Sequence, residues 1–250
     1  LLATSKAGSH SSDVTLESAF PTSGSHLPGG PITAPLVFVG ATTDAVIADA
    51  DVTGKIAVQT LHPQGGAYSE RTKATERARE FAKRGATAVL NIVEQAGNMY
   101  VRDFSNCGVP CFNIGTDDGR FLRDVMNRAT AAAMMSDLRM SIDLQTEMRP
   151  ALRGHNTIGL VPGRRADEIV IVNAHADGWF DAAGDNGDGL AVLIALARHY
   201  ASGPPPERTL LFVASGGHHG AGMNGPGNLV LMNPELMKEV VLVLNLEHIA

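Results

Sequence analysis

Hydrophobic positions along the chain alternate between two periods. Short apolar runs bounded by glycine, proline or asparagine recur at 35–40 (PLVFVG), 54–61 (GKIAVQTL), 87–93 (TAVLNIV) and 109–115 (VPCFNIG), and these read as strands. Between them, residues 69–84 place Ala74, Ala78, Phe81 and Ala82 at i, i+4, i+7 and i+8, with charges elsewhere and Gly85 as a stop. That is the pattern of an amphipathic helix. A second helix is expected over 117–128, where Asp117 and Asp118 sit near the positive end of the helix dipole. An alanine-rich joint at 129–155 contains a strand-like LRMSIDLQT. The alternation then resumes with buried-strand patterns at 156–161 and 168–174, a helix near 187–201, a strand at 208–215, a short helix near 227–232 and a last strand, VVLVLNL, at 240–246.

Strands and helices that alternate in this way predict an α/β fold. The Ser-, Thr-, Gly- and Pro-rich residues 1–33 read as a mobile lead-in, and residues 34–150 and 151–250 as two domains. Because the strand at 240–246 runs nearly to the last residue, the second domain is expected to be incomplete.

Composition narrows the function classes. With 250 residues, 44% hydrophobic and 18% charged, the chain can fill two modest cores. A net charge of -6 and the lack of any Lys/Arg run interleaved with aromatics argue against nucleic acid and acidic lipid as partners. No apolar run approaches the roughly 20 residues of a spanning helix. The opening LLATSKAGSH lacks the charged start and apolar stretch of a signal peptide. The two cysteines, in CGVPC at 107–111, read as unreactive thiols near a strand start, with a local disulfide as the alternative.

The chemistry gathers at strand ends. AHADGWFDAAGDNGDG follows directly on EIVIVN, so His175 and Asp177 stand where a strand of an α/β sheet delivers side chains to a ligand crevice. Asp185 lies in a tight turn just before a helix. The strand ending at Ser215 gives way to GGHHG, with His218 and His219, and the last strand ends in NLEH, with Glu247. Imidazole and carboxylate are ligands that zinc accepts, and Asp177 is placed to orient His175.

These three segments resemble the metal-site segments of the co-catalytic zinc exopeptidases, the group of bacterial and vacuolar aminopeptidases, glutamate carboxypeptidase and the transferrin receptor. GKIAV, EFAKRGATAVL and VPCFNIGTDDGRFL, within 34–128, resemble the protease-associated domain that often accompanies them. The resemblance implies a β-rich α/β protease-associated domain followed by the first part of a mixed-sheet α/β zinc-peptidase sandwich. It further implies one or two zinc ions, a peptide substrate, hydrolysis of terminal peptide bonds by a metal-activated water, and a location outside the cytoplasm. Carried over by position, His175, Asp185, His219 and Glu247 would bind metal and Asp177 would hold His175. The family has two adjacent glutamates where this chain has His218 and His219, the first a general base and the second a ligand. His218 would thus be the base. The exchange opens an alternative, a catalytically impaired homologue that binds metal or a partner.

Other motifs fit less well. GAGMNG at 220–225 matches GxGxxG, but four residues separate it from the preceding strand. There is no GxSxG elbow around Ser215 and no HExxH. His10, His26, His62, His155 and His199 read as surface or structural residues.

Overall fold

The structure is a computed structural model that describes every residue except 1, 8, 9, 46, 64–67, 103–107, 148, 150, 221, 222 and 250. The chain divides into two compact units, Leu1–Met148 and Arg149–Ala250.

The first unit contains β1 (Leu2–Ala7), β2 (His10–Thr15), β3 (Phe20–Pro21), β4 (Ile32–Ala41), β5 (Ile56–Leu61), α1 (Tyr68–Lys83), β6 (Ala88–Val93), β7 (Cys111–Ile114), α2 (Thr116–Ala131) and β8 (Arg139–Ile142). They form one mixed sheet in the order β2-β1-β8-β4-β5-β6-β7-β3, parallel from β4 to β7. Strands buried on both faces sort their side chains by alternation. Ile56, Val58, Leu90 and Ile92 join Leu122 and Met126 of α2 in one core, while Ala57 and Val89 join Ala78 and Phe81 of α1 in another.

A chain of amides crosses this sheet on the α1 side. Arg77 Nε donates to Gln59 Oε1 at 3.2 Å, Gln59 Nε2 to Asn91 Oδ1 at 2.8 Å, Asn91 Nδ2 to Asn113 Oδ1 at 2.9 Å and Asn113 Nδ2 to the Val101 carbonyl at 2.8 Å. All four side chains are buried. Burial pushes the Arg77 guanidinium pKa down, against the pull of Asp44.

Residues 1–33 depart from the lead-in expected of them, since they supply β1, β2, β3 and the first residues of β4. Polar composition concealed pairing that is made by the backbone. Asp118, expected only to complement the helix dipole, accepts from both the Ser18 amide and its hydroxyl at 2.7 Å, tying this segment to α2. Cys111 is disulfide-bonded, which replaces the thiol reading; Cys107 lies outside the described residues.

The second unit contains β9 (Thr157–Val161), β10 (Arg165–His175), α3 (Asp188–Ser202), β11 (Arg208–Ser215), α4 (Gly225–Met232), α5 (Pro234–Glu239) and β12 (Val240–Asn245). The sheet order is β12-β10-β11-β9, with β9 alone antiparallel. Ile169, Ile171, Leu211, Val213 and Leu229 of α4 form one core layer; Val172, Ala174, Phe212, Leu246 and Leu193 of α3 form the other. The result is a helix, sheet, helix sandwich. β9, expected to be a buried strand, is largely exposed, and so is β12, because both are edge strands. The short helix expected near 227–232 lies within α4, and α5 follows it as a further helix; both carry proline in the first turn.

Candidate metal centre

The parallel strands end in register. His175 pairs with Ser215 across β10 and β11, and Asn173 with Asn245 across β10 and β12. Their carboxyl ends therefore bring His175, the GGHHG loop and Glu247 to one edge, the place where open α/β sheets bind ligands.

His175 is 3% exposed. Its Nδ1 lies 2.8 Å from the Asp177 carbonyl, which can only accept, so in the neutral ring Nδ1 carries the proton and Nε2 presents a lone pair. That Nε2 is buried without a hydrogen-bond partner among the described residues. It stands 2.9 Å from Asp185 Oδ1 and 3.7 Å from Glu247 Oε1. Ligands about 2.1 Å from a tetrahedral zinc lie roughly 3.4 Å from one another, so the two separations bracket what a shared ion requires. His175, Asp185 and Glu247 form one group able to hold a cation, and His175, His218 and His219 form a second. The two groups share His175.

His219 joins them from the side, its Nε2 3.1 Å from Asp185 Oδ1. The exposed His218 lies against His175, with ring centres 4.6 Å apart and planes at 33°. Burial pushes the Asp185 carboxyl pKa up, but the His219 hydrogen bond and the neighbouring imidazoles outweigh it and hold the group below the usual carboxylate range.

Asp177 differs from its expected placement. Its backbone carbonyl, and not its carboxylate, meets His175; the carboxylate oxygen is 3.8 Å from Nδ1. The carboxylate instead accepts from the backbone amides of His218 at 2.9 Å and His219 at 2.7 Å. Burial pushes its pKa up, and these two amides bring it below the usual range. The GGHHG loop can turn back onto Asp177 because Gly217 takes φ +72°.

Amide side chains that the sequence reading passed over brace the centre. Asn173 Nδ2 donates to Asn245 Oδ1 at 2.7 Å, and Asn245 Nδ2 donates to Glu247 Oε2 at 2.8 Å, leaving Oε1 turned to His175. Asn156 accepts from the Gly216 amide and donates to the Gly225 carbonyl, closing the base of the Gly-rich loop. His62 pairs with Glu94 at the surface, away from these groups in sequence and partners. The GAGMNG stretch leads into α4 only at its final glycine, Gly225, so its earlier glycines cannot open that helix on a phosphate.

The second unit is thus an α/β sandwich whose parallel strands present imidazoles and carboxylates at their carboxyl ends. Residues 156–250, which contain the motifs that carried the resemblance, match the model of Peptidase family M28. The chain is 32% identical over 88 residues to a probable glutamate carboxypeptidase of Arthroderma benhamiae, an alignment covering 33% of this chain and 12% of that protein. Its fold is similar to that of a peptidase M28 precursor from Shewanella amazonensis, with a TM-score of 0.69 and 23% identity, over 97% of this chain and 56% of that one. It is also similar to a zinc aminopeptidase from Bacillus subtilis, with a TM-score of 0.56 and 21% identity, over 99% of this chain and 55% of that one. The chain spans little more than half the length of these solved structures.

Proposed function

We propose that the chain forms part of a zinc-dependent exopeptidase of the aminopeptidase type, with the first unit as its protease-associated domain. The observation that carries this reading is the buried Nε2 of His175, which has no hydrogen-bond donor or acceptor partner among the described residues and faces the carboxylates of Asp185 and Glu247. A buried lone pair without a partner is costly, and so are carboxylates gathered beside it; a cation relieves both.

His175, Asp185 and Glu247 would hold the first ion. His219, beside the same Asp185 oxygen, would hold that ion or a second one. Zinc, when bound there, supplies Lewis acidity that activates a water towards an amide carbonyl. His218 would be the base: it is exposed beside His175, and an imidazole can take a proton from the attacking water and pass it to the leaving amine. Asp177 holds the His218–His219 loop in place, and the substrate is the end of a peptide.

Replacing Asp185 with Ala removes the oxygen that both His175 and His219 approach, and should abolish zinc binding. Zinc content of the purified full-length protein, measured by elemental analysis, tests it: an unchanged stoichiometry sinks the proposal.

A further inference from the structure

Asn186 follows Asp185 in the turn Ala183–Gly187 and is 1% exposed, the most buried polar side chain in the second unit after Ser215. Its Nδ2 donates to the backbone carbonyl of Leu246 at 2.8 Å, a contact that spans 60 residues of sequence. The two ends of this bond each adjoin a carboxylate of the centre, Asp185 on one side and Glu247 on the other. Its Oδ1, which has no partner among the described residues, lies against Gly189 in the first turn of α3. A Cβ built on Gly189 would overlap both that oxygen and the Leu246 carbonyl. One amide, one carbonyl and one bare Cα thus close a junction that leaves no room for a methyl group.

We propose, building on the zinc reading above, that Asn186 is a positioning residue. Through the Leu246 carbonyl it fixes the separation of Asp185 from Glu247, and Gly189 is required because it admits the amide. The carboxylates come from different loops, β10 to α3 and the end of β12; the Leu246 amide ties the second loop to the Asn173 carbonyl of β10 at 2.8 Å, and the Asn186 amide ties the first loop to the Leu246 carbonyl. A ligand pair held by a buried hydrogen bond is preorganised; without it, each ion bound must first draw the loops together.

The test is a zinc titration of the full-length protein, by competition with a chromophoric chelator, on wild type, Asn186→Ala and Gly189→Ala, each with a metal-free thermal melt. Asn186→Ala is expected to weaken zinc binding by about 10- to 100-fold while the metal-free protein still melts cooperatively. Gly189→Ala should do the same by pressing the junction apart without deleting a hydrogen bond, and the double variant should lose less than the product of the two factors. Zinc affinity within twofold of wild type in either folded variant overturns the proposal, even where the melting temperature falls. Variants that fail to fold and are not restored by zinc also overturn it, since the junction is then structural. Absence of zinc binding by the wild type is a different result, which defeats the zinc reading itself.

Discussion

Asp177 and His218 show how much a single side chain's direction decides. Asp177 stands two residues from His175, a spacing that suggests a carboxylate partner for the imidazole, yet the chain turns so that the peptide carbonyl makes that contact and the carboxylate reaches the next loop. His175, Asp185 and Glu247 could be singled out in the sequence because several imidazoles and carboxylates coincide at successive strand ends and turns, and the structure brings these three within reach of one another. Asn186 was not legible, because an amide that bonds a backbone carbonyl 60 residues away leaves no trace in spacing. His218 carries a residue-scale prediction. A carboxylate is a shorter and more compact base than an imidazole stacked on His175. Replacing His218 with Glu in the zinc-loaded full-length protein should therefore raise kcat/KM on an aminoacyl anilide by about 10-fold or more if the histidine is a weakened base. A fall in activity would instead identify His218 as suited to its role as it stands.

At the scale of elements, apolar runs reported strands faithfully but reported burial poorly. The runs at 168–174 and 208–215 lie in the centre of the second sheet, whereas those at 156–161 and 240–246 form its edges. A hydrophobic run cannot say how many neighbours its strand will have. The β1 to β3 segment was hidden for the converse reason: its Ser- and Thr-rich residues pair through the backbone without an apolar signature. β12 has an element-scale consequence, for Val241, Leu242, Val243 and Leu244 are all about half exposed on a strand whose outer edge is unpaired within this unit. Flat apolar edges of this kind recruit other strands, and a lysine there opposes it. Val243→Lys in the 250-residue chain should reduce light scattering at high concentration while leaving the thermal midpoint within a few degrees. Unchanged scattering would mean that self-association, if it occurs, runs through another surface.

For the whole molecule, every residue of the candidate centre lies in the second unit, Arg149–Ala250. A ligand that binds only the folded state stabilises it by mass action, about 2.7 kcal/mol at 100 times its Kd. For a unit of this size, each kcal/mol raises the midpoint by roughly 4–8 °C. Calorimetry with saturating zinc against chelator should therefore move the transition of the second unit up by about 10 °C or more, and zinc that leaves both transitions in place would contradict a centre in this unit.

The amide chain through the first unit works as an error check on assembly. Gln59, Asn91 and Asn113 sit opposite one another on three successive parallel strands, and the side-chain period of a strand is two. If any of these strands slipped by a single residue, its amide would turn to the opposite face, among Ile56, Leu90 and Ile92, and the amide beside it would lose a partner. With each stranded amide costing about 1–3 kcal/mol, a mispaired sheet is disfavoured, and the amides select one register from an array of otherwise interchangeable valines and isoleucines.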